Sequence, residues 1–208
     1  MDGNKATVLL IDDDAGVRDG IGRLLRSAGW KAETFDSARD FVSRARLDGI
    51  GCIVLDICMD DMSGMELHQW LREHRITQPV IFLSAHCDVP ISVRAMKHGA
   101  ADVLQKPADA DTLLQAISNA VKRHGDEVRQ RNAVGQIEER LRLLSGRERE
   151  VMQHVIEGRL NKQIAWDLDI TEKTVKVHRA RAMAKMRARS VAELVHMCDR
   201  VGLVEDPA

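Results

Sequence analysis

The stretch TVLLIDDD, residues 7–14, is an apolar run that stops in three consecutive carboxylates. Asp12, Asp13 and Asp14 repel one another at such close spacing, so their clustering needs a reason beyond folding. Four more short apolar runs follow: KAETF (31–35), CIVLD (52–56), PVIFLS (79–84) and ADVLQ (101–105). Helical patterns lie at about 15–28, 37–46, 64–74, 88–98 and 109–123. Five strand-then-helix units predict an α/β, doubly wound, five-stranded parallel sheet with helices on both faces. The runs at 8–11, 53–55 and 80–83 are nearly all apolar, as inner strands covered on both faces should be.

Composition divides the 208-residue chain in two. The net charge is −1, from 31 Lys+Arg against 32 Asp+Glu. Residues 1–122 hold 14 basic and 18 acidic side chains, whereas residues 145–203 hold 12 and 8. An acidic half followed by a basic half predicts two domains with different partners, the second partner polyanionic. No apolar run approaches the ~18 residues of a membrane span, and MDGNKATV does not read as a signal peptide. Cys52, Cys58, Cys87 and Cys198 lack CxxC or CxxH spacing and read as thiols of a reducing, cytoplasmic compartment.

In an open parallel sheet, ligands gather at the carboxyl ends of the strands, near the switch in strand order. Asp12 and Asp13 close the first run and Asp56 closes the third. Three hard oxygen donors at one edge suit Mg2+. Ser84 closes the fourth run with a hydroxyl and Lys106 closes the fifth with an ammonium. A cation, a hydroxyl and a lysine around one carboxylate would hold the oxygens of a phosphoryl group. Asp14, just before AGVRDGIGRLL, reads as a helix cap.

DDD at 12–14, LD at 55–56, MSG at 62–64, SAH at 84–86 and KP at 106–107 together resemble a two-component receiver domain, over about residues 6–123. The resemblance implies that Asp56 accepts a phosphoryl group from a sensor histidine kinase. It implies that Asp13, Asp56 and the backbone carbonyl of Cys58 ligate Mg2+, with Asp12 acting through water. Ser84 would bond the phosphoryl group and Lys106 would pair with its charge. His86, two after the switch hydroxyl, would flank the approach of hydrolytic water and shield the acyl phosphate. Three positions depart from the receiver pattern: Asp60 replaces a proline, Val103 an aromatic residue, and Ala108 another frequent aromatic. A phosphatase of the haloacid dehalogenase type needs a second acid two residues after the nucleophile, where Cys58 stands. A flavodoxin-like cofactor module would need a phosphate loop, which residues 12–20 lack.

After residue 145 only helical patterns remain. Ser145 with Glu148 forms a capping box, and Gly158 ends that helix. NKQIAWDLDI (161–170) puts Ile164, Ala165 and Leu168 on one face; a longer helix capped by Thr171 follows, and a last one starts at Ser190. Segment 173–189 carries seven basic residues and no acid. A basic helix placed after a short helix and a turn reads as the recognition helix of a helix-turn-helix. Val175, Met183 and Met186 should face the core, with Trp166. Lys176, Val177, Ala180 and Arg181 should face the groove, while Lys162, Lys173, Thr174, His178 and Arg179 touch phosphates.

LSGREREVMQHVIEGRLNKQIAWDLDITEKTVKVHRARAMAKMRARSVAELVHM resembles the LuxR-type effector domain. Behind a receiver, it makes the chain similar to response regulators of the FixJ/NarL class. The expected organisation is a receiver at 1–123, a helical linker at 124–144 and an all-α DNA-binding domain at 145–208. The linker residues Val134, Ile137, Leu141 and Leu144 form a seam that suits either packing on the effector domain or a short coiled coil. The implied protein is not an enzyme in the usual sense. It is a cytoplasmic transcription regulator, an activator, that dimerises on phosphorylation and binds promoter DNA beside RNA polymerase.

Overall fold

The computed structural model describes residues 6–45, 47, 49–85 and 89–204. His86 and Cys87 therefore lie outside the described residues. The chain divides into two compact units, Met1–Val128 and Arg129–Ala208.

The first unit alternates β1 (Thr7–Ile11), α1 (Ala15–Ser27), β2 (Lys31–Phe35), α2 (Ala38–Arg44), β3 (Gly51–Asp56), α3 (Gly64–Glu73), β4 (Val80–Ser84), α4 (Val89–Lys97) and β5 (Asp102–Gln105), and ends within α5 (Ala110–Arg142), whose last residues belong to the second unit. The strands pair in parallel in the order β2-β1-β3-β4-β5. From β1 the chain steps to β2 on one side and to β3 on the other, so the switch point lies between β1 and β3.

Strand periodicity divides the core in two, because successive side chains point to opposite faces. Leu9, Ile11, Ile53, Leu55 and Phe82 pack with Phe41, Leu67, Leu71 and Ala95. Val8, Leu10, Val54, Ile81 and Leu83 pack on the other side with Leu25, Leu113 and Ile117. Central β3 and β4 are buried throughout, which is why their sequences read as continuous apolar runs. The edge strands β2 and β5 keep partly exposed residues.

The second unit contains α6 (Gly146–Ile156), α7 (Asn161–Asp167), α8 (Glu172–Met186) and α9 (Val191–Asp199). Its core joins Val151, Met152, Val155, Ile164, Val175, Ala182, Met186 and Leu194 with Ile137, Leu141 and Leu144. Thus three of the four seam residues pack on the effector helices. Helix α5 continues through the expected linker to Arg142, with Gly135 inside it. Ser145 and Glu148 make the capping box, and Ser145 accepts from the Glu148 N–H.

One core expectation is overturned. Trp166 is 86% exposed. At 100° per residue it sits some 200° around α7 from the buried Ile164, on the solvent side of a two-turn helix. Its size suggested the core, but its position faces outward.

Candidate functional site

Sheet register brings the five candidate residues to one edge. Ile11 pairs with Leu55, so Asp12 and Asp56 come next on adjacent strands. Asp56 is level with Leu83, one residue before Ser84. Ser84 is level with Gln105, one before Lys106, and the Lys106 N–H donates to the Ser84 carbonyl at 2.8 Å. Asp12, Asp56 and Ser84 are all buried.

Lys106 ties the site together. Its Nζ lies 2.6 Å from Asp12 Oδ2 and 2.9 Å from Asp56 Oδ2. Burial pulls the ammonium pKa down, but hydrogen bonds to the two carboxylates outweigh it and leave the pKa raised, so the lysine is charged. For Asp12 the balance is the reverse. Desolvation raises its carboxyl pKa despite the bonds from Lys106 and from the Asp14 N–H, at 3.0 Å. A fully buried carboxylate with its charge still disfavoured is a group that a second cation would satisfy.

Oxygens of Asp12, Asp13 and Asp56 all lie within 4.8 Å of one another. This hard, carboxylate-only pocket, with Asp13 exposed at its mouth, fits a magnesium-type ion that keeps some of its waters. Cys58 lies on the loop leaving β3 and is exposed, and its N–H reaches Asp56 Oδ1 at 3.3 Å. Among the described residues, Asp60 and Asp61 do not join this grouping. Asp60 instead donates its N–H to Asp13 Oδ2 at 3.3 Å, and Asp61 accepts from the Arg39 N–H at 3.1 Å. Asp61 thus fastens the β3–α3 loop to α2, and Asp60 ties it to Asp13 through a backbone N–H that a proline would lack.

One supporting residue escaped the sequence reading, and another, Gly64, entered it only as part of the MSG motif with no role assigned. Arg18 on α1 donates to the Asp12 carbonyl at 2.7 Å, fixing the backbone that aims the carboxylates. Its signal was only an arginine one turn into a helix. Gly64 is packed so closely that a Cβ there would stand 2.1 Å from the Asp56 carbonyl oxygen. Only glycine lets α3 start this near the end of β3. Asp14 caps α1 as expected, accepting from the Gly16 and Val17 N–H groups.

In the second unit, Val175 and Met186 are buried and Met183 packs against the same core. Lys176, Val177, Ala180 and Arg181 form an exposed row on α8. Lys162 and Lys173 are exposed, while Thr174, His178 and Arg179 are half-buried. Thr171 caps α8 by accepting from the Thr174 N–H.

Comparison with known proteins follows the same division. Residues 8–118 match the response regulator receiver domain, and residues 142–198 match the luxR family of bacterial regulatory proteins. The chain is 38% identical to the response regulator protein TodT of Pseudomonas putida over 201 residues, 97% of this chain and 88% of TodT. It is 38% identical to the transcriptional regulatory protein FixJ of Bradyrhizobium diazoefficiens over 202 residues, 97% and 98% of the two chains. Among solved structures, the response regulator StyR superposes with a TM-score of 0.88 at 44% identity, covering 94% of this chain and 99% of that one. Full-length FixJ from B. japonicum gives 0.59 at 37% identity, covering 96% and 98%. An aspartate-lined strand edge in one unit, a helix-turn-helix in the other and relatives matched along nearly their whole length lead to one assignment: the chain belongs to the response regulators that join a receiver domain to a luxR-family DNA-binding domain.

Proposed function

We propose that Asp56 is the phosphoacceptor and that its modification by a sensor histidine kinase turns the chain into a dimeric, DNA-bound activator. The observation that carries this reading is the position of Lys106, within 3 Å of both Asp12 and Asp56 and beside the buried Ser84. An Asp56 carboxylate oxygen attacks phosphorus, the new O–P bond forms and the P–N bond to the donor imidazole breaks. Asp12, Asp13, Asp56 and the Cys58 carbonyl would hold Mg2+, Asp12 through water; when bound, the ion neutralises charge on the transferring group. Lys106 exchanges a carboxylate partner for a phosphoryl oxygen, and the Ser84 hydroxyl donates to another. The ammonium is already charged and fixed, so little reorganisation accompanies the transfer.

Ser84 ends β4, five residues before the start of α4, and its inward movement is our proposed link to the α4–β5–α5 surface. Two chains joined there would present two copies of α8 to half-sites about one helical turn apart. Lys176, Val177, Ala180 and Arg181 would read base edges. Lys162, Lys173, Thr174, His178 and Arg179 would hold phosphates, and a neighbouring RNA polymerase would be the downstream partner. DNA as the target places the protein in the cytoplasm, and among the described residues no helix is long and apolar enough to cross a membrane. The burial of Ile137, Leu141 and Leu144 in the effector core leaves little seam for a constitutive coiled coil.

Incubation with acetyl phosphate and Mg2+ is expected to add one hydroxylamine-labile phosphoryl group, read by intact mass. Asp56→Asn should abolish it. Undiminished labelling in that variant would assign the acceptor elsewhere.

A further inference from the structure

Helices α7 and α8 share a polar contact that the pattern of basic residues does not reveal. Arg179 on α8 donates from Nη1 to Oδ1 of Asn161, the first residue of α7, at 2.9 Å. Both residues are half-buried, and their side chains are bonded to each other with no ligand present. Arginine can only donate, so the amide must turn its oxygen to Arg179 and leave its NH2 pointing elsewhere. That NH2 has no protein acceptor among the described residues. Asparagine is neutral, so the guanidinium is oriented without losing its charge. Lys185 shows the contrasting case, its charge offset by Glu148 at 2.5 Å.

We propose that Asn161 and Arg179 form a two-residue clamp for one DNA phosphate. Arg179 supplies the charge; Asn161 orients the guanidinium and adds a second donor through Nδ2. Arg179 flanks the exposed Lys176/Val177/Ala180/Arg181 row on the side of α7, where donors meet the sugar-phosphate backbone rather than base edges. The site rests on the assignment of α8 as the DNA-binding helix and adds to it a residue with no charge of its own. A neutral residue is invisible to any count of basic side chains.

The rival is a brace that only fixes the angle between the two helices. The two differ in what a carboxylate at position 161 would do. An aspartate accepts from Arg179 at least as well, so a brace would survive it. In a phosphate clamp it neutralises the guanidinium, removes the NH2 donor and repels the ligand. The test measures binding of the full chain, treated with acetyl phosphate and Mg2+, to two duplexes over a range of salt. One duplex is a site selected from random DNA by the wild-type chain and the other is a scrambled sequence of equal length. Asn161→Ala should weaken both complexes about three- to tenfold, and should add little in an Arg179→Ala background. Asn161→Asp should weaken both by about tenfold or more and lower the salt slope by about one, as Arg179→Ala does. Wild-type affinity in Asn161→Asp would leave only a brace and overturn the clamp. An equal loss from Asn161→Ala with and without Arg179 would overturn the coupling. An unchanged salt slope in Arg179→Ala would remove the phosphate contact itself, a failure distinguishable from the other two.

Discussion

Lys185 donates to the Glu148 carboxylate at 2.5 Å and the Ser145 N–H donates to it at 2.8 Å, and these bonds hold the Glu148 pKa down at about 2. A depressed carboxyl stabilises the fold at pH values above its unfolded pKa, near 4.5, and loses that contribution as pH falls toward 2. The stability gap between wild type and Glu148→Gln, followed in urea through effector-unit amides, should therefore be full near pH 6 and close below about pH 3. A gap that stays constant across that window would detach Glu148 from the linkage. Gly64 makes a different point about single residues. Because a Cβ would meet the Asp56 carbonyl at 2.1 Å, Gly64→Ala must push either α3 or the end of β3. About 1 Å of displacement at a reacting group costs on the order of a hundredfold in rate. Phosphorylation from acetyl phosphate should slow accordingly, and near-wild-type kinetics would show that the loop absorbs the methyl group elsewhere.

At the scale of elements, chain order and period carried most of the fold. Every expected strand has its counterpart within a residue or two, because period-2 burial and strand-end carboxylates are local signals. The five residues of the candidate site could be placed at one edge for the same reason: Asp56 and Ser84 close their strands, Asp12, Asp13 and Lys106 follow theirs, and parallel register brings strand ends together. Arg18 and Asn161 were not legible, since each acts through a single hydrogen bond outside any periodic pattern, Arg18 to a carbonyl six residues back and Asn161 to a side chain on the next helix. The extent of α5 was harder still, because one continuous helix hides a change of partner. Leu113 and Ile117 pack on the sheet, whereas Ile137 and Leu141 pack on the effector helices. The effector unit therefore begins earlier than its capping box. Leu141→Ala should cost about 2–5 kcal/mol of effector stability by leaving a cavity in a packed core. A fragment starting at residue 129 should unfold cooperatively, while one starting at 145, lacking all three seam residues, should be much less stable. Equal urea midpoints for the two fragments would show that the seam contributes nothing.

At the scale of the whole molecule, the acidic and basic halves have opposite needs. The receiver's buried site takes up more negative charge when phosphorylated, and the basic helix-turn-helix needs a polyanion. No charge difference by itself connects the two events; the proposed change in oligomeric state would, because two half-sites bound together gain affinity that one cannot reach. The surface available for that change includes α4, where Val93 is 45% and Met96 49% exposed. Three residues apart, they lie on one side of the helix as an apolar pair that water covers poorly. Phosphorylation that draws in Ser84 would redirect the chain entering α4 and with it this pair. Light scattering of the full chain should then report a monomer alone and a dimer with beryllofluoride and Mg2+. Val93→Glu with Met96→Glu should keep the beryllofluoride-treated chain monomeric, because each copy would bring two carboxylates against those of its partner. Acetyl phosphate labelling of Asp56 should persist in that double variant, since neither side chain belongs to the acidic pocket. Dimerisation that survives both substitutions would move the interface off this face of α4, and loss of labelling along with dimerisation would mean the substitutions had damaged the receiver.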